Sequence, residues 1–96
     1  MTQSFTDKVA IITGGSDGIG RATAMLLAER GAHVVICARR AEKLDATMAE
    51  IEAAGGSCET ASLDVPNTDA FEALIRDVAK RHGRLDMLVN NAASTH

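Results

Sequence analysis

A glycine cluster constrains this chain more than any other feature. Gly14, Gly15, Gly18 and Gly20 sit between a short apolar run and an amphipathic segment. Lys8-Val9-Ala10-Ile11-Ile12 reads as a strand buried on both faces, because its apolar residues are continuous rather than alternating. A helical pattern follows at once through Ile19, Ala22, Leu26 and Leu27 and ends at Gly31. A helix N-terminus presents N–H groups without intrahelical partners and a partial positive charge, so an anion is stabilised there. Glycines let the backbone bend sharply and let phosphate oxygens approach with no Cβ in the way. Residues 13–20, Thr-Gly-Gly-Ser-Asp-Gly-Ile-Gly, therefore read as a phosphate-gripping turn. The competing reading is a tight strand-to-helix turn that holds no ligand.

The alternation continues along the chain. His33–Ala38, rich in β-branched residues, is a second buried strand. From Ala41 to Ala54, Leu44, Met48 and Ile51 form one apolar stripe among charged residues, as in a one-sided surface helix that Gly55-Gly56 ends. That helix starts at Arg39-Arg40 with no good capping side chain. Cys58–Leu63 reads as a third strand. Asn67 or Thr68 then caps a helix whose stripe is Phe71, Leu74, Ile75, Val78 and Ala79. Its last turn carries Lys80, Arg81 and His82 before Gly83, which suits the negative end of a helix dipole. Asp86–Asn90 is the fourth strand. This β-α-β-α-β-α-β order with short connections is that of a parallel sheet. Right-handed crossovers give the strand order 3-2-1-4, with the first two helices on one face and the third on the other. The second face is then half bare, and Met87-Leu88-Val89 forms an apolar edge that favours partner binding.

Composition narrows the function classes. The 96 residues make one small domain, and a net charge of −3 argues against a nucleic-acid partner. No apolar run approaches the ~18–20 residues that cross a bilayer. Residues 1–8 lack the charged-then-apolar order of a secretory signal. Cys37 and Cys58 fall within expected strands without metal-type spacing, and read as small apolar residues of a reduced, cytoplasmic protein; no metal site is expected. His33 and His82 stand isolated in sequence and read as surface or strand-edge residues. Arg76, Lys80, Arg81 and Arg84 are interleaved with Glu72, Asp77 and Asp86, so a solvated face is expected there. Met25, Met48 and Phe71 read as core.

The glycine spacing is not the common G-x-G-x-x-G, since Thr23 stands where a third glycine would be. It is Thr13-Gly14-x-x-x-Gly18-Ile19-Gly20, and in this form it resembles the cofactor motif of the short-chain dehydrogenase/reductase family. Two more of that family's motifs follow in order: Asp64-Val65 at the end of the third strand and Asn90-Asn91-Ala92 at the end of the fourth. The family usually continues with glycine, where this chain has Ala93. The resemblance spans the whole chain and implies a truncated, Rossmann-like three-layer α/β fold, with residues 1–96 as the N-terminal dinucleotide-binding part. It implies contacts to the pyrophosphate and adjoining ribose from the turn that holds Gly14, Gly18, Ile19 and Gly20. It further implies that Asp64 bonds the adenine amino group, that Val65 flanks the ring, and that Asn91 and Ala92 lie along the cofactor. Asp64 also reads as a solvated loop carboxylate before Pro66. Asn90 reads equally as a side chain tying adjacent loops.

A free ribose 2′-hydroxyl is typically held by an acidic side chain just after the second strand, roughly 20 residues beyond the glycines. Here the strand ends Cys37-Ala38-Arg39-Arg40, with no acid. Arg39 can donate two parallel charge-assisted hydrogen bonds to a 2′-phosphate, each worth ~1.5–3 kcal/mol, so NADP(H) is the expected cofactor. Ser16 offers a second donor. Arg40 reads first as a solvated helix-start cation, and Asp17 argues mildly the other way unless it points outward. The family's chemistry implies a Tyr-x-x-x-Lys pair and a serine, all beyond the fourth strand. This chain has no tyrosine, and Ser94 lies too close to Asn-Asn-Ala to be that serine. The expectation is an NADP(H)-binding N-terminal portion of an oxidoreductase that interconverts a carbonyl and an alcohol, without catalytic residues of its own. A substrate is expected only in a full-length form, and the open edge suggests a homo-oligomer. The alternatives are a non-catalytic nucleotide-binding module and an assembly module.

Overall fold

The computed structural model describes residues 5–14, 18–63 and 68–89. Its elements are β1 (Val9–Thr13), α1 (Gly18–Glu29), β2 (His33–Ala38), α2 (Ala41–Ala53), β3 (Ser57–Ser62), α3 (Thr68–His82) and β4 (Met87–Val89). The four strands form one parallel sheet in the order β3-β2-β1-β4, as the crossover rule requires. Every residue of β1 is buried, which is why its sequence shows no alternation.

Strand periodicity divides the core into two layers. Ala10, Ile12, Val34, Ile36 and Cys58 face α1 and α2, packing on Ala24, Leu27, Ala28, Leu44 and Ile51. Val9, Ile11, Val35 and Cys37 face the other way, toward α3, where Val78 is fully buried and Phe71, Leu74 and Ile75 pack around it. This is the expected three-layer arrangement, with two helices on one face and one on the other. Leu88 is paired with Ile11, on the α3 side, and is 48% exposed, so that face is only partly covered among the described residues.

The buried stripe of α1 differs from the expected one. Ile19 is 74% exposed, Leu26 is 47% exposed and Ala22 is exposed, while Gly20, Ala24, Leu27 and Ala28 are buried. Of the expected stripe only Leu27 is buried; small residues at the other buried positions let the helix lie close to the sheet, while Ile19 and Leu26 turn outward. Hydrophobicity alone selected the face only in part, because glycine and alanine carry little of it yet set how closely the backbone approaches. Met25, Met48 and Phe71, expected in the core, pack against it as half-buried side chains.

The second helix begins as its sequence suggested. Arg40 occupies the N-cap position with extended backbone and no side-chain capping bond. The basic end of α3 is also as expected, with ion pairs from Arg76 to Glu72, from Arg81 to Asp77 and from Arg84 to Asp86. Among the described residues no helix is long and apolar enough to cross a membrane.

Candidate functional site

Parallel strands all point the same way, so whatever follows their C-terminal ends gathers along one rim of the sheet. The register sets this rim: Thr13 pairs with Cys37, and Ala38 pairs with Ser62. Gly14 therefore follows β1 beside Ala38, and Arg39 leaves β2 one residue later. The turn and the arginine, 25 residues apart in sequence, are thereby carried by adjacent strands of the sheet.

Gly14 has φ 70° and Gly18 has φ 60°, a left-handed conformation that costs an L-residue roughly 1–2 kcal/mol. Both glycines are thus required by the reversal itself. The Gly14 N–H donates to the Cys37 carbonyl at 2.8 Å, which extends the ladder between β1 and β2 by one residue. The first N–H groups of α1, which opens at Gly18, lack intrahelical acceptors. A Cβ built on Gly18 meets no described atom within 4 Å, so among the described residues the start of α1 is uncovered there. Gly20, in the first turn of α1, is buried, while Ile19 beside it stands 74% exposed at the same rim. An apolar side chain so exposed beside this turn is available for contact with an uncharged ligand surface.

Arg39 is exposed, and its backbone is anchored to β3: the Ser62 hydroxyl donates to the Arg39 carbonyl at 3.1 Å, and the Leu63 N–H donates to Ala38 at 2.9 Å. On the other side of β1, the Thr13 hydroxyl donates to the Val89 carbonyl at 3.4 Å, tying the start of the turn to β4. The sequence candidates thus divide in two. Gly14, Gly18, Ile19, Gly20 and Arg39 belong to one rim, and Ser16, Asp64, Val65, Asn91 and Ala92 lie outside the described residues. A groove of about 610 Å³ between α1 and α2 runs along α1 from Arg21 to Glu29 and is lined by Met25, Leu26, Ile51 and Gly56 among others. Neither Gly14, Gly18 nor Ile19 lines it.

Both cysteines are buried free thiols, and burial pushes Cys37 up to about 11 and Cys58 to about 12. They fill space in the core and stay protonated, in keeping with their apolar reading.

One constellation escaped the sequence reading. His33 and His82, which looked isolated, both reach one carboxylate oxygen: Glu59 Oε1 lies 2.8 Å from His33 Nε2 and 3.0 Å from His82 Nε2. The two rings are 4.6 Å apart between centroids. Arg81 donates to Glu59 Oε2 at 2.6 Å. Burial would push the Glu59 carboxyl up, but hydrogen bonds from Arg81, His33 and His82 outweigh it and hold it at about 2. A signal did exist. His33 pairs with Ser57, so period-two alternation places His33 and Glu59 on the α3 face of adjacent strands.

Comparison with known proteins follows this geometry. The sequence profile of the family described as short chain dehydrogenase matches residues 8–96. The chain is 43% identical over 88 residues to a 3beta-hydroxysteroid dehydrogenase of Mediterraneibacter gnavus, covering 92% of this chain and 32% of that protein. It is 45% identical over 89 residues to a 1-cyclohexenylcarbonyl-CoA reductase of Streptomyces collinus, covering 92% of this chain and 32% of that protein. The chain thus spans about a third of the length of these relatives. Among solved structures, it resembles a metagenomic short-chain oxidoreductase in complex with NADP, with a TM-score of 0.91 and 47% identity, over 95% of this chain and 41% of that one. It also resembles a citronellol catabolism dehydrogenase of Pseudomonas aeruginosa, with a TM-score of 0.92 and 40% identity, over 99% of this chain and 40% of that one.

Proposed function

Because the chain belongs to the short chain dehydrogenase family, we propose that it is the NADP(H)-binding N-terminal portion of an oxidoreductase interconverting a carbonyl and an alcohol. The observation that carries the cofactor choice is Arg39. It is exposed at the rim, one residue beyond β2, on the strand whose pairing sets Ala38 beside Gly14. An acid at this position would repel a 2′-phosphate, whereas a guanidinium can bind it through two parallel hydrogen bonds. The related structure that holds NADP supports the same choice.

The cofactor, when bound, supplies or accepts the hydride. The residues of this chain would bind and orient it. The start of α1 holds the pyrophosphate, the open space at Gly18 admits it, Ile19 lies against its uncharged part, and Arg39 takes the 2′-phosphate. Ser16, Asp64, Val65, Asn91 and Ala92 are proposed to complete the site, in the roles that the family resemblance implies. The tyrosine implied as acid and base is not among these 96 residues, which contain none. The alternative reading is a nucleotide-binding module without its own turnover. The reading extends to a cytoplasmic homo-oligomer: two buried free thiols suit a reducing compartment, and half-exposed Leu88 offers an apolar edge for further packing.

Titration with NADPH and with NADH, on the protein and on Arg39→Asp, tests the cofactor choice. NADPH should bind at least tenfold tighter, and Arg39→Asp should abolish or reverse the preference. Equal affinity for the two dinucleotides in the unsubstituted protein would overturn it. Turnover of a carbonyl with NADPH separates the enzyme from the binding module.

A further inference from the structure

The parallel topology that gathers the turn and Arg39 at one rim builds a second constellation at the opposite rim. His33 opens β2, Glu59 is the third residue of β3, and His82 closes α3. Their ligating atoms lie within 4.8 Å of one another, and the side chains are 22%, 27% and 26% exposed. We infer that His33 Nε2, His82 Nε2 and Glu59 Oε1 form a binding site for a divalent transition-metal ion, with Zn²⁺ the best-fitting occupant, which clamps α3 to β2 and β3.

Several features favour a metal over a set of incidental hydrogen bonds. The donors are two imidazole nitrogens and one carboxylate oxygen, a set that suits Zn²⁺ and its neighbours and is too nitrogen-rich for Mg²⁺ or Ca²⁺. They come from three separate elements, and both imidazole nitrogens meet at the same carboxylate oxygen, Glu59 Oε1. Around a tetrahedral Zn²⁺ such donors stand about 3.3 Å apart, so the observed 2.8 Å and 3.0 Å need open only by a few tenths of an ångström. A water molecule can take the fourth position.

The surroundings hold the ligands in place. His33 Nδ1 is bonded to the Ser57 hydroxyl. Beside Glu59, Nε2 carries the proton and Nδ1 accepts from Ser57; on a metal, Nε2 is bare and Nδ1–H donates to Ser57. A hydroxyl serves both arrangements, so loading requires only a change of tautomer at this ring. Arg81 donates to Glu59 Oε2 at 2.6 Å and, over a longer 3.4 Å, to Oε1; on loading, Oε1 turns to the ion and the short bond to Oε2 keeps the carboxylate in place. Its positive charge is answered by Asp77, 2.8 Å from Arg81 Nε. With neutral imidazoles, one net negative charge then faces the dication.

The test is Zn²⁺ titration of the protein after chelator treatment, read by competition with a chromophoric chelator and by thermal denaturation. One equivalent should bind and raise the melting temperature, and Mg²⁺ should do neither. His82→Gln and Glu59→Gln should each weaken Zn²⁺ binding at least tenfold, and Ser57→Ala, which removes only the outer contact, by about tenfold. Should a ligand variant fail to fold, Co²⁺ in the unsubstituted protein gives a second readout, the intense visible absorption of a four-coordinate ion. Absence of one-equivalent binding would overturn the site, leaving a purely hydrogen-bonded His–Glu–His network. Binding unchanged in both ligand variants, or a weak six-coordinate Co²⁺ spectrum, would overturn it as well.

Discussion

Two glycines allow the phosphate-binding role of the turn to be separated from its folding role. Gly18 and Gly55 both have positive φ, at 60° and 90°, and a Cβ on either meets no described atom within 4 Å. Alanine therefore costs each position only its backbone conformation, roughly 1–2 kcal/mol, partly offset by the less flexible unfolded chain. We expect both substitutions to lower unfolding free energy by about 1 kcal/mol in urea titrations, too little to unfold a typical domain. They should differ in the presence of cofactor. Gly18 opens α1 at the rim where the pyrophosphate is proposed to sit, whereas Gly55 ends α2. Losing one charge-assisted hydrogen bond at Gly18 costs ~1.5 kcal/mol or more, which is at least tenfold in Kd. At NADPH fixed at 100 times the unsubstituted Kd, the protein and Gly55→Ala should each gain about 2.7 kcal/mol of stability. Gly18→Ala should gain no more than about 1.4 kcal/mol. Equal gains for the two variants would refute the assignment of the turn as the phosphate site, because the two perturbations match in every respect but location.

Two further outcomes follow from the packing. Asp86 accepts from Arg84 at 2.8 Å and from the Val9 N–H at 2.9 Å, and these bonds, the arginine's first, hold its carboxyl at about 2 against an ordinary 3.8. A carboxylate depressed in the folded state stabilises above its unfolded value and loses that contribution as pH falls through its folded value. The stability gap between the protein and Asp86→Asn should therefore be fully present at neutral pH and shrink between about 3.8 and about 2, as measured by urea denaturation across that range. Thr47 is fully buried in α2, and its hydroxyl has no hydrogen-bond partner among the described residues, so Thr47→Val, of the same shape, should raise stability by about 1 kcal/mol; a destabilised valine variant would show that the hydroxyl has a partner.

The sequence made legible what rests on local periodicity and on glycine. Continuous apolar runs identified β1 and β2, and Gly31, Gly55 and Gly83 fell at helix ends with positive φ. Strand order then followed from crossover handedness, which needs no side-chain detail. The buried face of α1 was legible only at Leu27, because Gly20 and Ala24 matter through their smallness, whereas a search for apolar residues weights Ile19 and Leu26. That Gly14 donates to Cys37 was equally hidden, since it depends on how far the β1–β2 ladder runs beyond Thr13. The place of Arg39 one residue beyond β2 was legible because it follows from where the strand ends rather than from any contact.

The His33–Glu59–His82 constellation shows how a fold creates what no spacing announces. A parallel sheet demands that each crossover helix run back antiparallel to the strands. The 15 residues of α3 rise about 22 Å, close to the ~20 Å span of the six-residue β3, so the helix must end near where the strands begin. His82, in its last turn, is thus delivered to the rim where β2 starts with His33. Period two adds Glu59, on the same face and two residues along from Ser57, the partner of His33. The same return path brings these three side chains together at the rim opposite the glycine turn. A dinucleotide and Zn²⁺ bound at opposite rims each add their own linkage energy, so occupancy of both should stabilise the protein more than occupancy of either alone.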